Sequence, residues 1–161
     1  DIKMGTLSKT IPSVGGYIAA DEDTITYLKH TARGFVFSAA LPPAAVAAAQ
    51  AAFEVMEAEP ERVARLQRNV ELFIGGLRAR GFNTGNSETP IVPIICGEDQ
   101  RALMMARLLH EEGIFVLPVL PPAVPVGSSR LRANVTAAHS EADIAYALDC
   151  FQRAGEAVGI I

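Results

Sequence analysis

The stretch Asp1-Ile2-Lys3-Met4-Gly5-Thr6-Leu7-Ser8-Lys9-Thr10, continued by Val14-Gly15-Gly16-Tyr17-Ile18-Ala19, decides how the chain is read. It sets one lysine, Lys9, in a turn, with Gly5, Thr6 and Ser8 before it and a glycine pair after it. A lysine ordinarily keeps its ammonium in water. Here glycines and apolar residues flank it without any charge run, so a partly dry site is expected. Shielding from water disfavours a charged amine and lets it act as a nucleophile. Nearby hydroxyls and backbone N–H groups suit a phosphate.

A nucleotide P-loop needs a glycine directly before its lysine, and Ser8 stands there instead. An amine beside an anion cradle is what pyridoxal phosphate requires, with a Schiff base at one end and an anion site at the other.

Outward from this stretch, 161 residues that are half hydrophobic suffice for one or two packed units with a core. The net charge of −4 and the lack of a basic patch argue against nucleic acid as a partner. No apolar run approaches the roughly 18 residues of a membrane span. Cys96 and Cys150 lie far apart in apolar contexts, form no metal or redox motif, and read as buried free thiols suited to a reducing cytoplasm. His30 and His110 show no paired ligand spacing, so no metal site is visible.

In order, residues 16–20 read as a buried strand, and Asp21 or Asp23 caps a helix to about His30. Residues 35–38 read as extended. Pro42-Pro43 opens an alanine-rich helix to about Ala58. Val63, Leu66, Val70, Phe73, Ile74 and Leu77 form one apolar stripe on the next helix, which Gly81 stops. A strand at 91–95 and a helix to Glu112 follow, the helix with Leu103, Met104, Ala106, Leu108 and Leu109 on its apolar side. Strands at 114–119 and 130–135 and a helix capped by Ser140 with Asp143 complete a β-α-β-β-α order, a small α+β unit. The boundary between the two parts falls near residues 56–60. On the strand at 130–135, alternation turns Arg130, Arg132 and Asn134 one way and Leu131, Ala133 and Val135 into the core. Two adjacent guanidinium groups repel unless an anion or carboxylate sits with them, and a planar fork matches a carboxylate.

Gly5-Thr6-Leu7-Ser8-Lys9 followed by Gly15-Gly16-Tyr17-Ile18-Ala19 resembles the cofactor-lysine segment of the α-oxoamine synthases. These pyridoxal-phosphate-dependent acyltransferases join an amino acid to an acyl thioester with loss of carbon dioxide. Glycine C-acetyltransferase, 8-amino-7-oxononanoate synthase and serine palmitoyltransferase are among them. The likeness runs on through Phe37-Ser38-Ala39-Ala40-Leu41-Pro42-Pro43, Thr89-Pro90-Ile91-Val92-Pro93, Arg130-Leu131-Arg132 and Thr136-Ala137-Ala138-His139, essentially the whole chain. It implies an α/β fold, the C-terminal portion of a fold-type I PLP-dependent transferase. Residues 1–57 would end the large PLP-binding domain and residues 58–161 would form the small α+β C-terminal domain. The residues that stack on the cofactor ring and pair with its pyridine nitrogen would lie upstream, so the chain alone is expected to be inactive.

The resemblance also implies roles. Lys9 would be the Schiff-base lysine and the catalytic base, and Thr6 a ligand of the cofactor phosphate. Ser38 would reach the phosphate of a second copy, which makes a homodimer with shared active sites the expected assembly. Arg132 would hold the substrate α-carboxylate. The loop 118–129 lies where the family covers the acyl chain. His139 matches a family position and is expected to be structural. Ala39 and Ala40 depart from the Asn, Thr or Ser common in relatives, which removes phosphate contacts. Ser8 and Ile11-Pro12-Ser13-Val14 lean toward the serine palmitoyltransferase-like branch. The thioester's carrier, coenzyme A or a carrier protein, is left open. So are two other readings, an aminotransferase of the same fold and a non-catalytic C-terminal interaction domain.

Overall fold

The computed structural model describes residues 1–161 throughout, and they divide into two compact units, Asp1–Pro60 and Glu61–Ile161. In the first, strands β1 (Lys3–Thr6) and β2 (Gly16–Ala19) pair antiparallel, with Gly5 opposite Tyr17 and Thr6 opposite Gly16. Helix α1 (Glu22–Thr31) starts at Asp21, whose side chain accepts from the Thr24 N–H at 2.9 Å and the Thr24 hydroxyl at 2.8 Å. Those bonds hold the Asp21 carboxyl below the usual carboxylate range. Helix α3 (Pro43–Ala58) opens on proline, where the missing N–H has no intrahelical partner to lose.

Two expectations fail here. Residues 16–20 do not form a buried strand: β2 is exposed along its whole length. Residues 35–38 are not extended: Arg33–Val36 form a short helix, α2, and Phe37 N–H still bonds to Arg33 O at 3.0 Å. Ala32 carries the break, taking extended backbone between the two helices.

The second unit is a three-stranded antiparallel sheet under three helices. Strands β3 (Ile91–Gly97), β4 (Leu117–Val119) and β5 (Ser129–Asn134) lie in the order β3-β5-β4. Helices α4 (Glu61–Ala79), α5 (Asp99–Glu111) and α6 (Glu141–Val158) contribute the rest of one core, which contains Leu77, Ile94, Met105, Leu109, Leu131 and Phe151. Phe151 meets Phe73 and Phe82 edge to face, with centroids 5.6 and 6.3 Å apart. Ser140 and Asp143 form the expected reciprocal capping box on α6.

Three details depart from the sequence pattern. Val63 is half exposed and the polar Asn69 is buried among the stripe instead. On α5 the buried side is Ala102, Met105 and Leu109, spaced three and four apart, while Leu103 and Met104 are 49 % and 51 % exposed. Strand β4 is shorter than expected. Gly113, at φ +79°, lets Ile114 N–H close back on Leu109 O at 2.8 Å, so the chain is still finishing α5 before it can pair.

Candidate functional site

The loop at residues 7–15 joins β1 to β2 and carries Lys9. Leu7 and Ile11, the apolar residues on either side of the lysine, are only 6 % and 7 % exposed and pack with Ala49 of α3. The Leu7 N–H bonds to Gly15 O at 2.9 Å and the Ser13 N–H to Leu7 O at 2.8 Å, closing the loop on itself. The Ser13 hydroxyl donates to Ala45 O at 2.6 Å and ties the loop to α3. With both anchors turned inward, Lys9 between them turns outward and is exposed. The apolar neighbours that led the sequence to predict a partly dry lysine are spent on the anchor.

Thr6 and Ser8 stand just before the lysine with their hydroxyl oxygens 2.9 Å apart. The Ser8 N–H also points to Thr6 Oγ1, at 3.4 Å. Gly16, across from Thr6, has no room for a side chain: a Cβ there would lie 2.9 Å from Gly5 O. Thr6 lines a groove of about 650 Å³ walled by Met4, Tyr17, Ile18, Leu28 and Phe35. Lys9 and Ser38 are not among its lining residues. Ser38 follows α2, is exposed, and donates its hydroxyl to Gly34 O at 2.6 Å.

Arg132 belongs to the second unit. The strand alternation holds: Leu131, Ala133 and Val135 are buried, Arg132 and Asn134 are exposed and Arg130 is half buried. Register places Arg132 between Pro93 and Leu117, and Arg130 between Ile95 and Val119. A groove of about 400 Å³ over this face is lined by Ser87, Ile91, Pro93, Val119, Arg130 and Arg132, with Leu131 at its floor. Arg130 Nε donates to Ser128 O at 2.9 Å. Neither arginine makes an ion pair within the chain.

Residues outside the sequence reading hold this face in place. The buried Ser129 hydroxyl bonds to the Asp99 carboxylate and fixes the start of β5 to the first turn of α5. Asn69 donates to Thr136 O at 3.0 Å and His139 O at 2.8 Å, securing the chain that leaves β5. Arg78 grips the loop after α4 through Thr84 Oγ1, Gly85 O and Ser87 O. The only trace of Asn69 in the sequence is a polar residue next to an apolar stripe. Contacts of long sequence separation, such as Asp99 with Ser129, leave no periodic mark.

Both cysteines are buried and unpaired, as expected. Burial pushes the Cys96 thiol up to about 11. No helix is long and apolar enough to cross a membrane.

Comparison with known proteins places this geometry. The family described as aminotransferase class I and II matches residues 1–151. An 8-amino-7-oxononanoate synthase of Thermoanaerobacter pseudethanolicus is 45% identical over 161 residues, covering 100% of the chain and 41% of its own length. A serine palmitoyltransferase of Bacteriovorax stolpii is 42% identical over 154 residues, covering 96% of the chain and 37% of its own length. Among solved structures, SPT with a PLP internal aldimine superimposes with a TM-score of 0.92 at 34% identity, over 100% of the chain and 41% of that protein. A Sphingomonas wittichii serine palmitoyltransferase gives 0.92 at 31% over the same shares. The chain thus spans about two-fifths of the length of the relatives it matches. Its fold is that of the corresponding part of serine palmitoyltransferase, and the chain belongs to the aminotransferase class I and II family.

Proposed function

We propose that the chain is part of an α-oxoamine synthase, a pyridoxal-phosphate-dependent acyltransferase that condenses an amino acid with an acyl thioester and releases carbon dioxide. The observation that supports it best is Lys9, projecting from a loop pinned on both sides by Leu7 and Ile11, directly after a hydroxyl pair. Those residues fit the cofactor. Lys9 offers an amine for its aldehyde, and Thr6, with Ser8 and the loop N–H groups, offers donors for its phosphate.

When bound, pyridoxal phosphate supplies an electron sink for the substrate α-carbon. The chain's own residues do the rest. Lys9 carries the proton to and from that carbon. Arg132 presents a planar fork to the amino acid's carboxylate and orients the bond that breaks. Its lack of any partner in the chain supports this role. The loop 118–129 shields the acyl chain from water. The acyl carrier is coenzyme A or a carrier protein. Residues 1–57 then end the large PLP-binding domain, and residues 58–161 form the small α+β C-terminal domain.

Ser38 is proposed to serve the phosphate of a second copy in a homodimer. It would exchange its Gly34 acceptor for that anion. Mixing S38A with K9A protein should then give activity above either alone. The buried free thiols favour the cytoplasm.

The deciding experiment is K9A in the full-length protein with added pyridoxal phosphate. The visible absorption band of the bound cofactor disappears, and borohydride no longer fixes a pyridoxyl mass on the Lys9 peptide. A mass retained on another residue would sink the assignment. Release of free thiol together with carbon dioxide separates this reaction from amino-group transfer.

A further inference from the structure

We propose that Arg130 binds a second anion, distinct from the amino acid's carboxylate and carried by the acyl donor; this rests on the assignment of Arg132 above. The outward positions of the sheet are Ile91, Pro93 and Ile95 on β3, Leu117 and Val119 on β4, and Arg130, Arg132 and Asn134 on β5. Not one is acidic. The chain is not short of acids, with 18 against 14 basic residues. It pairs arginines readily elsewhere: Arg80 with Asp149, Arg101 with Glu98, Arg107 with Glu111 and Arg153 with Glu112. On this face two guanidinium groups stand together on one strand, each between apolar side chains and neither with a carboxylate.

Arg130 differs from Arg132 in a way that matters. Of its five N–H donors one, at Nε, is used on Ser128 O. That bond orients the side chain and leaves the terminal nitrogens for a ligand. Residues two apart on a strand are separated by about 7 Å. One carboxylate engages one fork in bidentate fashion, so it does not satisfy both groups. The pair therefore offers two anion sites, and the amino acid fills one. The groove, of about 400 Å³, is open along the face and has room for more than one carboxylate. Its walls of Ile91, Pro93 and Val119 suit an alkyl chain that arrives with a charge. The donor's anion is either a carboxylate at the far end of the acyl chain or a phosphate of the thiol carrier.

The test uses full-length R130Q and four donors: a plain acyl-coenzyme A, its ω-carboxyacyl counterpart, and the N-acetylcysteamine thioester of each, which lacks phosphate. Loss of a charged hydrogen bond raises KM about tenfold or more for donors bearing the recognised anion. The preference for those donors over the others collapses, the amino acid's KM moves less than about twofold, and R130K restores part of the preference. Collapse of the ω-carboxyl preference on both carriers identifies the distal carboxylate; collapse of the coenzyme A preference for both chains identifies the phosphate. An equal change on all four donors, or a shift in the amino acid's KM instead, overturns the proposal. R130K, with charge but without the fork, gives the same comparison where R130Q does not fold. R132K separates the underlying assignment: a near-normal amino-acid KM there defeats the role of Arg132 whatever Arg130 does.

Discussion

Replacing Arg132 should improve stability while it damages binding, and the two effects can be computed separately. Arg130 and Arg132 lie on one face, two residues apart, about 7 Å along the strand. Like charges at that distance repel by about 0.6 kcal/mol at the dielectric of water, and by about twice that at an effective value of 40. No carboxylate on the face offsets the repulsion. R132M removes the charge but keeps an apolar stem of similar reach between Pro93 and Leu117. It should therefore raise Tm by about 1–4 °C. R132K keeps the charge and loses only the fork, so its Tm should stay near that of the parent.

Both variants lose bidentate recognition of a carboxylate. A hydrogen bond to a charged group contributes about 1.5–3 kcal/mol, and each 1.4 kcal/mol is a factor of ten. The amino acid's KM should rise about 10- to 100-fold in R132K and at least as far in R132M. Melting curves at about 0.01 M and 1 M salt supply the control, because screening shortens from about 30 Å to about 3 Å over that range. The gain in R132M should be present at low salt and vanish at high salt. A drop in Tm at low salt would refute the reasoning, since it would mean that the guanidinium stabilises the folded chain and is not held there for a ligand.

Three further outcomes are expected. N69A removes the buried amide that holds the carbonyls of Thr136 and His139, and urea titration should register a loss of about 1–3 kcal/mol; N69D, which cannot donate, should be no better. G16A drives a Cβ against Gly5 O, so the hairpin must open; it should cost about 1–3 kcal/mol and weaken pyridoxal phosphate uptake, read by absorbance titration, whereas G34A, which meets nothing, should bind as the parent does. Cys96 keeps its proton up to about pH 11 in the folded chain and loses it near 9.0 when unfolded. The unfolded state then binds fewer protons between those values, so stability should fall as pH rises from 9 to 11. In C96A that part of the alkaline slope should be absent from melts taken across the range.

The elements that the sequence announced are those with a local cause. Asp21 and Ser140 cap helices by accepting from the backbone N–H three residues on, and Pro43 and Gly113 act through their own backbone angles. The alternation on β5 needed only a period of two. Failures came where backbone bonding overrode side-chain type or where distant residues decide. Phe35 and Val36 have strand-like side chains, yet Phe35 N–H and Val36 N–H both turn back to Ala32 O, and a helical turn results. On α5 every third or fourth position was apolar on more than one face, and the contact with the sheet chose Ala102, Met105 and Leu109 over Leu103 and Met104. Lys9 stood out by its flanking residues and Arg132 by strand alternation, whereas Thr6 and Ser38 were singled out by the family resemblance; the surroundings of all four were not legible. That Lys9 is exposed, or that Ser38 already has an acceptor in Gly34, follows from which neighbours turned inward.

The lysine loop and the arginine strand show one physical strategy in two settings. A side chain that is to meet a ligand, as proposed for Lys9 and Arg132, must be aimed without being consumed by the protein. The loop achieves this with apolar anchors: Leu7 and Ile11 are buried, the backbone between them is closed by Leu7, Ser13 and Gly15, and Lys9 has no inward course left. The strand achieves it by pairing on both sides, which fixes Arg130 and Arg132 outward while Leu131 and Ala133 enter the core. In each case the cost of leaving a cation without a partner is small because the group stays in water until a ligand arrives. Burying either in the chain alone would cost several kcal/mol with no compensating charge. Exposure of Lys9 is therefore compatible with a nucleophilic role, provided that what shields it comes with the ligand or with parts of the enzyme outside this chain. Thiol-selective reagents would not see that change, but amine acetylation would. Lys9 should label readily in the chain by itself and be protected in the full-length protein loaded with pyridoxal phosphate; equal labelling in both would show that the amine never enters the site.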